Sequence, residues 1–249
     1  MPSETDQSRT TIDELAARFR GEMIPLTAKF SYFSTLPIAE EDLRQYLHEP
    51  IGAISPAILA LLPQMEIILA PYLEKANGKS GDAVSFERPP DTRHVSAALH
   101  RQENSVVLAL SVKDVEVADY HYRFYNALAA LVTEHCPPEV QERFQRTIRE
   151  ELGAEVHGEV DEKSWHLKQS LLRRQTNVRR ETKLFREYAR QAFEDTLTLY
   201  LHGTCCDIDV ETGPRQMPSR FLRRRLEVLL SLFPPPEGYA VLPEQLKGR

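Results

Sequence analysis

The chain has 249 residues, a formal net charge of -6, a hydrophobic fraction of 41% and a charged fraction of 27%. These proportions are those of an ordinary folded protein and exclude wholesale disorder. The acidic total argues against a protein that coats nucleic acid, because such a protein needs a positive surface.

The opening residues are polar and acidic and lack the apolar stretch of a secretory signal. The three cysteines are odd in number, and the neighbours Cys205 and Cys206 would bridge only with strain, so we expect reduced thiols. The apolar run 51–73 is interrupted by prolines and polar residues, which favours buried helices over a membrane span. We therefore expect a cytoplasmic protein that does not enter the membrane.

The N-terminal third is predicted to be helical. Thr11-Ile-Asp-Glu14 fits a capping box and predicts a helix over 12–20. A second helix is expected over 38–48, and Pro56 and Pro63 are expected to begin two more, since proline is tolerated in the first turn. These helices predict a helical subdomain over residues 1–78, and turn-forming residues predict a linker over 79–92.

Residues 93–249 are predicted to form an α+β domain. The β-rich runs 94–100 and 105–112 predict an antiparallel hairpin, and helical patterns follow from residue 116. Residues 196–201 alternate as a strand would, but they also continue an upstream helical stripe, which favours a helix. The predicted class is therefore α-rich α+β: a helical N-terminal subdomain, then a small hairpin packed with several long helices.

Chemistry-bearing residues concentrate at two places in the C-terminal half. His157-Gly-Glu159 resembles the His-x-Glu half of the signature of zinc-dependent nucleoside and nucleic-acid deaminases, which implies that the histidine binds zinc and the glutamate moves protons. The family's second half, Pro-Cys-x-x-Cys, is replaced here by Thr204-Cys-Cys-Asp-Ile-Asp209. A zinc site would then use His157 with Cys206 and Asp209, with Glu159 as the catalytic acid and base.

Two alternatives to this zinc site stay open. His202 with Cys206 and Asp209 could form the metal site if residues 196–201 are helical. In the simpler reading, the acidic residues around Glu159 favour a helix dipole, His202 sits at a helix C-terminus, and both cysteines pack as small apolar residues.

Although the net charge of the chain is negative, its C-terminal half contains a local basic region. It includes a cluster between residues 168 and 190 and a second cluster near residue 223, and the partner-binding residues that we predict are Arg173, Arg174, Arg179, Arg180, Arg223 and Arg224. No nucleotide-binding glycine loop or nucleophile elbow occurs in the sequence. The leading hypothesis is a soluble cytosolic binding or regulatory protein that contacts an acidic protein or a phosphate-bearing partner through a basic helical face. The alternative is a zinc-dependent, deaminase-like hydrolase.

Overall fold

The computed structural model describes residues 10–75, 82–173, 180–206 and 217–242. Residue contacts divide the chain into two units. The first holds the residues up to His48 together with Leu62–Ala127, and the second holds Glu49–Leu61 together with the residues from Leu128 onward. The chain boundaries predicted at residues 78 and 92 stay a prediction.

The first unit is built on a mixed five-stranded sheet. Its strands lie in the order β1-β2-β3-β8-β7, in which β2, β3 and β8 are parallel and the outer strands β1 and β7 are antiparallel to their neighbours. The strand bounds are Ile24–Pro25 for β1, Phe30–Ser34 for β2, Gln64–Ala70 for β3, Ala97–Arg101 for β7 and Ser105–Ser111 for β8. The hairpin predicted over 94–112 is therefore confirmed as β7 and β8, and it forms one side of this larger sheet.

A smaller antiparallel sheet completes the strands of this unit. It has the order β5-β4-β6, with β4 at Tyr72–Lys75, β5 at Asp82–Ser85 and β6 at His94–Val95. Strand β5 lies inside the stretch predicted to be a linker, and residues 76–81 lie outside the described residues.

The predicted first helix is confirmed as α1, Ile12–Phe19, with both hydrogen bonds of the capping box between Thr11 and Glu14. Its apolar residues Ile12, Leu15 and Ala16 pack in one cluster with residues of β3, β7 and β8. Phe19 stacks on Phe33 of β2 with a centroid distance of 4.3 Å. Helix α1 thus covers one face of the main sheet.

The helix expected after Pro63 is wrong, because that stretch forms β3. The seven residues between Pro63 and Pro71 are a short apolar run, and such a run fits a buried parallel strand as well as a helix. Pairing with β2 on one side and β8 on the other decides between them. The helix predicted over 38–48 forms as α2, Glu40–Leu43, followed by a π-helical turn at Arg44–His48, and the helix predicted from Pro56 forms as α4, Pro56–Leu61. The short helix α3, Glu49–Gly52, was not predicted.

Long helices dominate the rest of the chain, so the α-rich α+β class is confirmed. They are α5 at Val117–His135, α6 at Pro138–Gly153, α7 at Glu162–Leu172, α8 at Lys183–Cys205 and α9 at Ser219–Leu232. In the second unit α8 packs against α6, α7 and α9, and α9 also packs against α6. Among the helices of the described ranges, none is both long enough and apolar enough to cross a bilayer.

Candidate functional site

The predicted zinc and proton-transfer residues lie in different environments. His157 is exposed in the turn between α6 and α7, whereas Glu159, two residues later, is fully buried. His202 is buried in the last turn of α8, Cys206 caps that helix half-exposed, and Asp209 lies outside the described residues. Within the described part of the chain, no three potential metal ligands that lie within 4.8 Å of one another include His157 or His202. The zinc site stays a prediction.

Residues 196–201 belong to α8, so the helical interpretation of this segment is confirmed. A helix therefore leads into Cys205 and Cys206. The helix also places Glu194, Thr198 and His202 on one side, where the Thr198 hydroxyl donates to the Glu194 carbonyl at 2.9 Å.

The centre of the second unit holds a cluster of charged side chains that are shielded from water. Each member has zero or near-zero exposure, and four helices and the α6–α7 turn supply them: Glu151 of α6, Glu159 of the turn, Lys168 of α7, Tyr188 of α8 and Arg225 of α9. We call these five residues the buried charge cluster. Its two carboxylates balance its two cations, so the formal charge of the cluster is zero.

Arg225 is the hub of the buried charge cluster. Its Nε donates to both carboxylate oxygens of Glu151 at 3.0 Å, and its Nη2 donates to Glu151 Oε2 at 2.5 Å. On the other side, Nη1 and Nη2 donate to Glu159 Oε2 and Oε1 at 2.8 and 2.9 Å. The planar guanidinium thus holds two carboxylates at once, which the point charge of a lysine does not do.

Lys168 and Tyr188 complete the shell of Glu159. The Lys168 ammonium donates to Glu159 Oε1 at 3.1 Å and to the Gly158 carbonyl at 2.8 Å, and the Tyr188 hydroxyl also donates to Glu159 Oε1. Gly158 has φ +80°, a left-handed conformation that glycine adopts without steric cost and that lets the turn present both its carbonyl and the Glu159 side chain to the interior.

The ionisation of the cluster follows from these contacts. Burial acts to raise the pKa of Glu159, but Arg225 outweighs it, with help from Lys168 and Tyr188, and the pKa is lowered to about 2. Burial and the Glu159 carboxylate raise the pKa of Tyr188 well above its ordinary value. Glu159 is therefore ionised at neutral pH while all its contacts are to fixed donors, which favours a structural role for this carboxylate over proton transfer.

The charge pattern alone did not separate buried from exposed cations. Lys168 and Arg225 belong to the two basic clusters of the sequence, yet both side chains are buried. The spacing of residues in the sequence does distinguish Arg225, because it lies on the same helical stripe as Leu222, Leu226 and Leu229. A cation in the middle of an apolar stripe indicates a buried and paired side chain.

The predicted partner-binding residues that the structure describes are at the surface. Arg173 and Arg180 are exposed, and Arg174 and Arg179 lie outside the described residues. On α9, Arg223 pairs with Glu227 at 3.4 Å and Arg224 pairs with Glu150 of α6, so both of these arginines already have carboxylate partners.

A different set of cations lies at the N-terminal end of α8, where Arg180 precedes the N-cap Thr182 and Lys183 and Arg186 lie in the first turn. Arg180, Lys183 and Arg186 are exposed, and none of them makes an ion pair with any residue in the described ranges. The neighbouring acid Glu181 pairs with Arg149 instead. We call Arg180, Lys183 and Arg186 the basic start of α8.

No protein-family model, curated protein or solved structure matches this chain.

Proposed function

We propose that this is a cytosolic binding or regulatory protein that contacts an acidic protein through the basic start of α8. The observation that carries the proposal is the exposure of three cations without ion-pair partners among the described residues at one helix end. Several other basic residues are engaged: Arg149, Arg190, Arg223 and Arg224 have carboxylates within reach, and Lys168 and Arg225 are buried.

The position of these cations costs helix stability. A helix N-terminus carries a partial positive charge, so basic side chains there are unfavourable and acidic ones favourable. Helix α8 has no acidic residue in its first turn, whereas Lys183 and Arg186 both lie there. Local folding therefore does not explain these residues, which supports a role in recognising negative charge.

The charge is local rather than global, which favours a protein partner. The chain as a whole carries a net charge of -6, so a long polyanion would be repelled by much of the surface. Glu187, one turn beyond Lys183, makes no ion pair with it. A compact acidic patch on a partner protein could contact only the start of α8. It would then be attracted by these three cations without being repelled by the acidic remainder of the surface.

The test compares two double variants that remove the same charge at the same spacing. Lys183→Gln with Arg186→Gln removes two exposed cations of α8, and Arg143→Gln with Arg146→Gln removes two exposed cations of α6. Binding of a fluorescent oligoglutamate peptide is followed by anisotropy at low salt. We expect the α8 variant to weaken binding about tenfold, equivalent to about 1.4 kcal/mol, and the α6 variant to change it less than about twofold.

Three results would contradict the proposal. The first is a wild-type protein that does not bind the peptide, and the second is an equal loss in both variants, which would assign binding to net charge. The third is displacement of the peptide by inorganic phosphate at matched ionic strength, which would indicate a phosphate-bearing partner. Unchanged thermal unfolding of both variants is the control for folding, since exposed charges contribute little to stability.

A further inference from the structure

A cleft lies beside the start of β1, within the first unit. Its volume is about 310 Å³, at the lower end of the roughly 300 to 1,000 Å³ that ligand pockets span. Ser34, the last residue of the parallel strand β2, is among the residues that line it. Ligands of open α/β sheets bind outside the carboxyl ends of such strands, so the cleft has both the size and the position of a small-ligand site.

The walls of the cleft are mainly apolar. The aliphatic and aromatic side chains that form them come from β1, from β2 and from the segment around α2: Ile24, Tyr32, Phe33, Ile38 and Leu43. Ile24 is 51% exposed, so part of this apolar surface faces water. A ligand with an apolar body would remove that surface from water, which is favourable in proportion to the area buried.

The charged groups around the cleft are mostly acidic. Glu22 lines the cleft, is exposed, and makes no ion pair with any residue of the described ranges. Helix α2, which contributes Leu43 to the wall, has an acidic first turn at residues 40–42, and of these acids Glu41 pairs with Arg44. None of the described residues that line the cleft is basic. This distribution of charge attracts a cation and repels an anion.

The edge of β2 is open to the cleft at one residue, Ser34. The N–H of Thr35 donates to the Leu69 carbonyl of β3 at 2.9 Å, so the backbone N–H and C=O of Ser34 face the opposite side, towards β1. Strand β1 does not reach them, because its first residue, Ile24, is paired with Tyr32. An opening of one residue gives a partner to one polar group of a small ligand, but it is too short to add a peptide strand.

We infer that this cleft binds a small organic amine, with its ammonium group held by the Glu22 carboxylate and the Ser34 carbonyl and its apolar body against the walls. An ammonium group has donors and no acceptor, so it is complementary to these two acceptors. The rings of Tyr32 and Phe33 add to the attraction, since aromatic faces attract cations. The cleft is independent of the basic start of α8, which lies in the second unit and attracts the opposite charge.

The experiment uses probes that share one apolar body and differ in charge: phenylbutylamine, phenylbutanol and phenylbutyrate. Saturation-transfer NMR and isothermal titration calorimetry measure their affinities for the full-length protein at neutral pH and low salt. We expect the amine to bind with a dissociation constant of about 1 mM or lower. The alcohol should bind about fivefold more weakly, because it lacks the charge, and the carboxylate more weakly still.

Two variants test the charge of the cleft. Glu22→Gln removes the carboxylate from the cleft, and Glu103→Gln removes the same charge from the exposed β7–β8 turn, at the other side of the sheet. We expect Glu22→Gln to weaken binding of the amine about fivefold and to leave binding of the alcohol unchanged. Glu103→Gln should change neither affinity.

Two further variants test the wall. Ile24→Ser removes apolar surface from the cleft, and Phe86→Ser removes a side chain that is 66% exposed elsewhere in the same unit. We expect Ile24→Ser to weaken binding of the amine and of the alcohol alike, by about fivefold, and Phe86→Ser to change neither. Circular dichroism of each variant checks that it is folded.

The inference is overturned if the amine does not bind, if the alcohol or the carboxylate binds as tightly as the amine, or if Glu22→Gln loses no more affinity than Glu103→Gln. Wild-type affinity of a folded Ile24→Ser variant would also place the amine outside this cleft. Because none of the probes is an acidic peptide and no variant changes α8, failure here leaves the proposed function untouched.

Discussion

At the residue scale, Arg225 determines whether the interior of the second unit is electrically balanced. It is fully buried and binds both Glu151 and Glu159 through charge-assisted hydrogen bonds. Removing one member of a buried ion pair is far costlier than removing both, because the remaining charge keeps its desolvation penalty and loses its partner. Loss of the guanidinium would leave two carboxylates facing each other with only Lys168 to compensate.

We therefore predict that Arg225→Met strongly destabilises the protein. The expected loss is about 3 to 5 kcal/mol, the range for a broken buried pair. Thermal unfolding followed by the fluorescence of Trp165, the only tryptophan, should show a fall in melting temperature of about 2 to 4 °C for each kcal/mol.

The neighbouring arginine supplies the control. Arg224→Met breaks the exposed pair with Glu150, which should cost less than about 1 kcal/mol. Equal melting temperatures for the Arg224 and Arg225 variants would show that the buried charge cluster does not contribute to stability as we argue.

At the element scale, α9 packs through one apolar stripe. Leu222, Leu226 and Leu229 are fully buried, and Phe233 follows at the end of the helix. We predict that Leu226→Asp unfolds or aggregates the protein, because an unpaired carboxylate in that position costs several kcal/mol against a total stability of roughly 5 to 15. Solubility and far-ultraviolet circular dichroism measure the effect.

The same substitution on the exposed side of α9 is the comparison. Arg220→Asp places a carboxylate in the first turn, where the helix dipole favours it, so this variant should remain folded. A soluble Leu226 variant with a wild-type melting temperature would contradict the packing of α9 on the unit's core.

The capping box of α1 gives a prediction of smaller size. The Thr11 hydroxyl accepts from the Glu14 backbone N–H at 3.3 Å, and the Glu14 carboxylate accepts from the Thr11 N–H at 3.0 Å. Thr11→Ala should cost about 1 kcal/mol in urea unfolding, the usual effect of losing a helix cap. Thr10→Ala, which leaves both hydrogen bonds in place, should cost clearly less, and equal losses would argue against the cap as the cause.

At the scale of the whole molecule, two buried carboxylates shape the dependence of stability on pH in opposite directions. The pKa of Glu159 is lowered from 4.5 to about 2, so its contribution is complete above about pH 4.5 and disappears as the pH falls towards 2. Burial, together with the charges of Asp161 and Glu194, raises the pKa of Asp195 from 3.8 to about 6, against hydrogen bonds from Ser164 and Gln191. One oxygen of Asp195, Oδ2, has no hydrogen-bond partner among the described residues.

The sign for Asp195 follows from proton binding. Between about pH 3.8 and 6 the folded protein holds this proton and the unfolded chain does not, so stability falls as the pH rises through that interval. We predict that Asp195→Asn gains stability relative to the wild type by up to about 3 kcal/mol between about pH 4 and pH 7. Urea unfolding at both pH values measures the difference, and the low-pH value is the internal control because the aspartate and the asparagine are both neutral in the folded protein at that pH. A difference that does not change with pH would contradict the buried, protonated carboxylate.

Local patterns were sufficient for several elements because neighbouring residues decide them. The capping box, the hairpin of β7 and β8, the helix through residues 196–201 and the stripe of α9 were all predicted from spacing. Strand β3 was not, because its apolar run has no period that distinguishes a buried strand from a helix, and only pairing with β2 and β8 selects the strand.

By itself, the sequence determined the α-rich α+β class and the location of most helices, since propensity, capping and periodicity act within a few residues. Only the tertiary structure decided which charges are interior. Glu151 and Arg225 are 74 positions apart, and their contact arises when α6 and α9 pack. The free energy of a charge depends on its distance from water and from opposite charges, and that distance is a property of the packed chain.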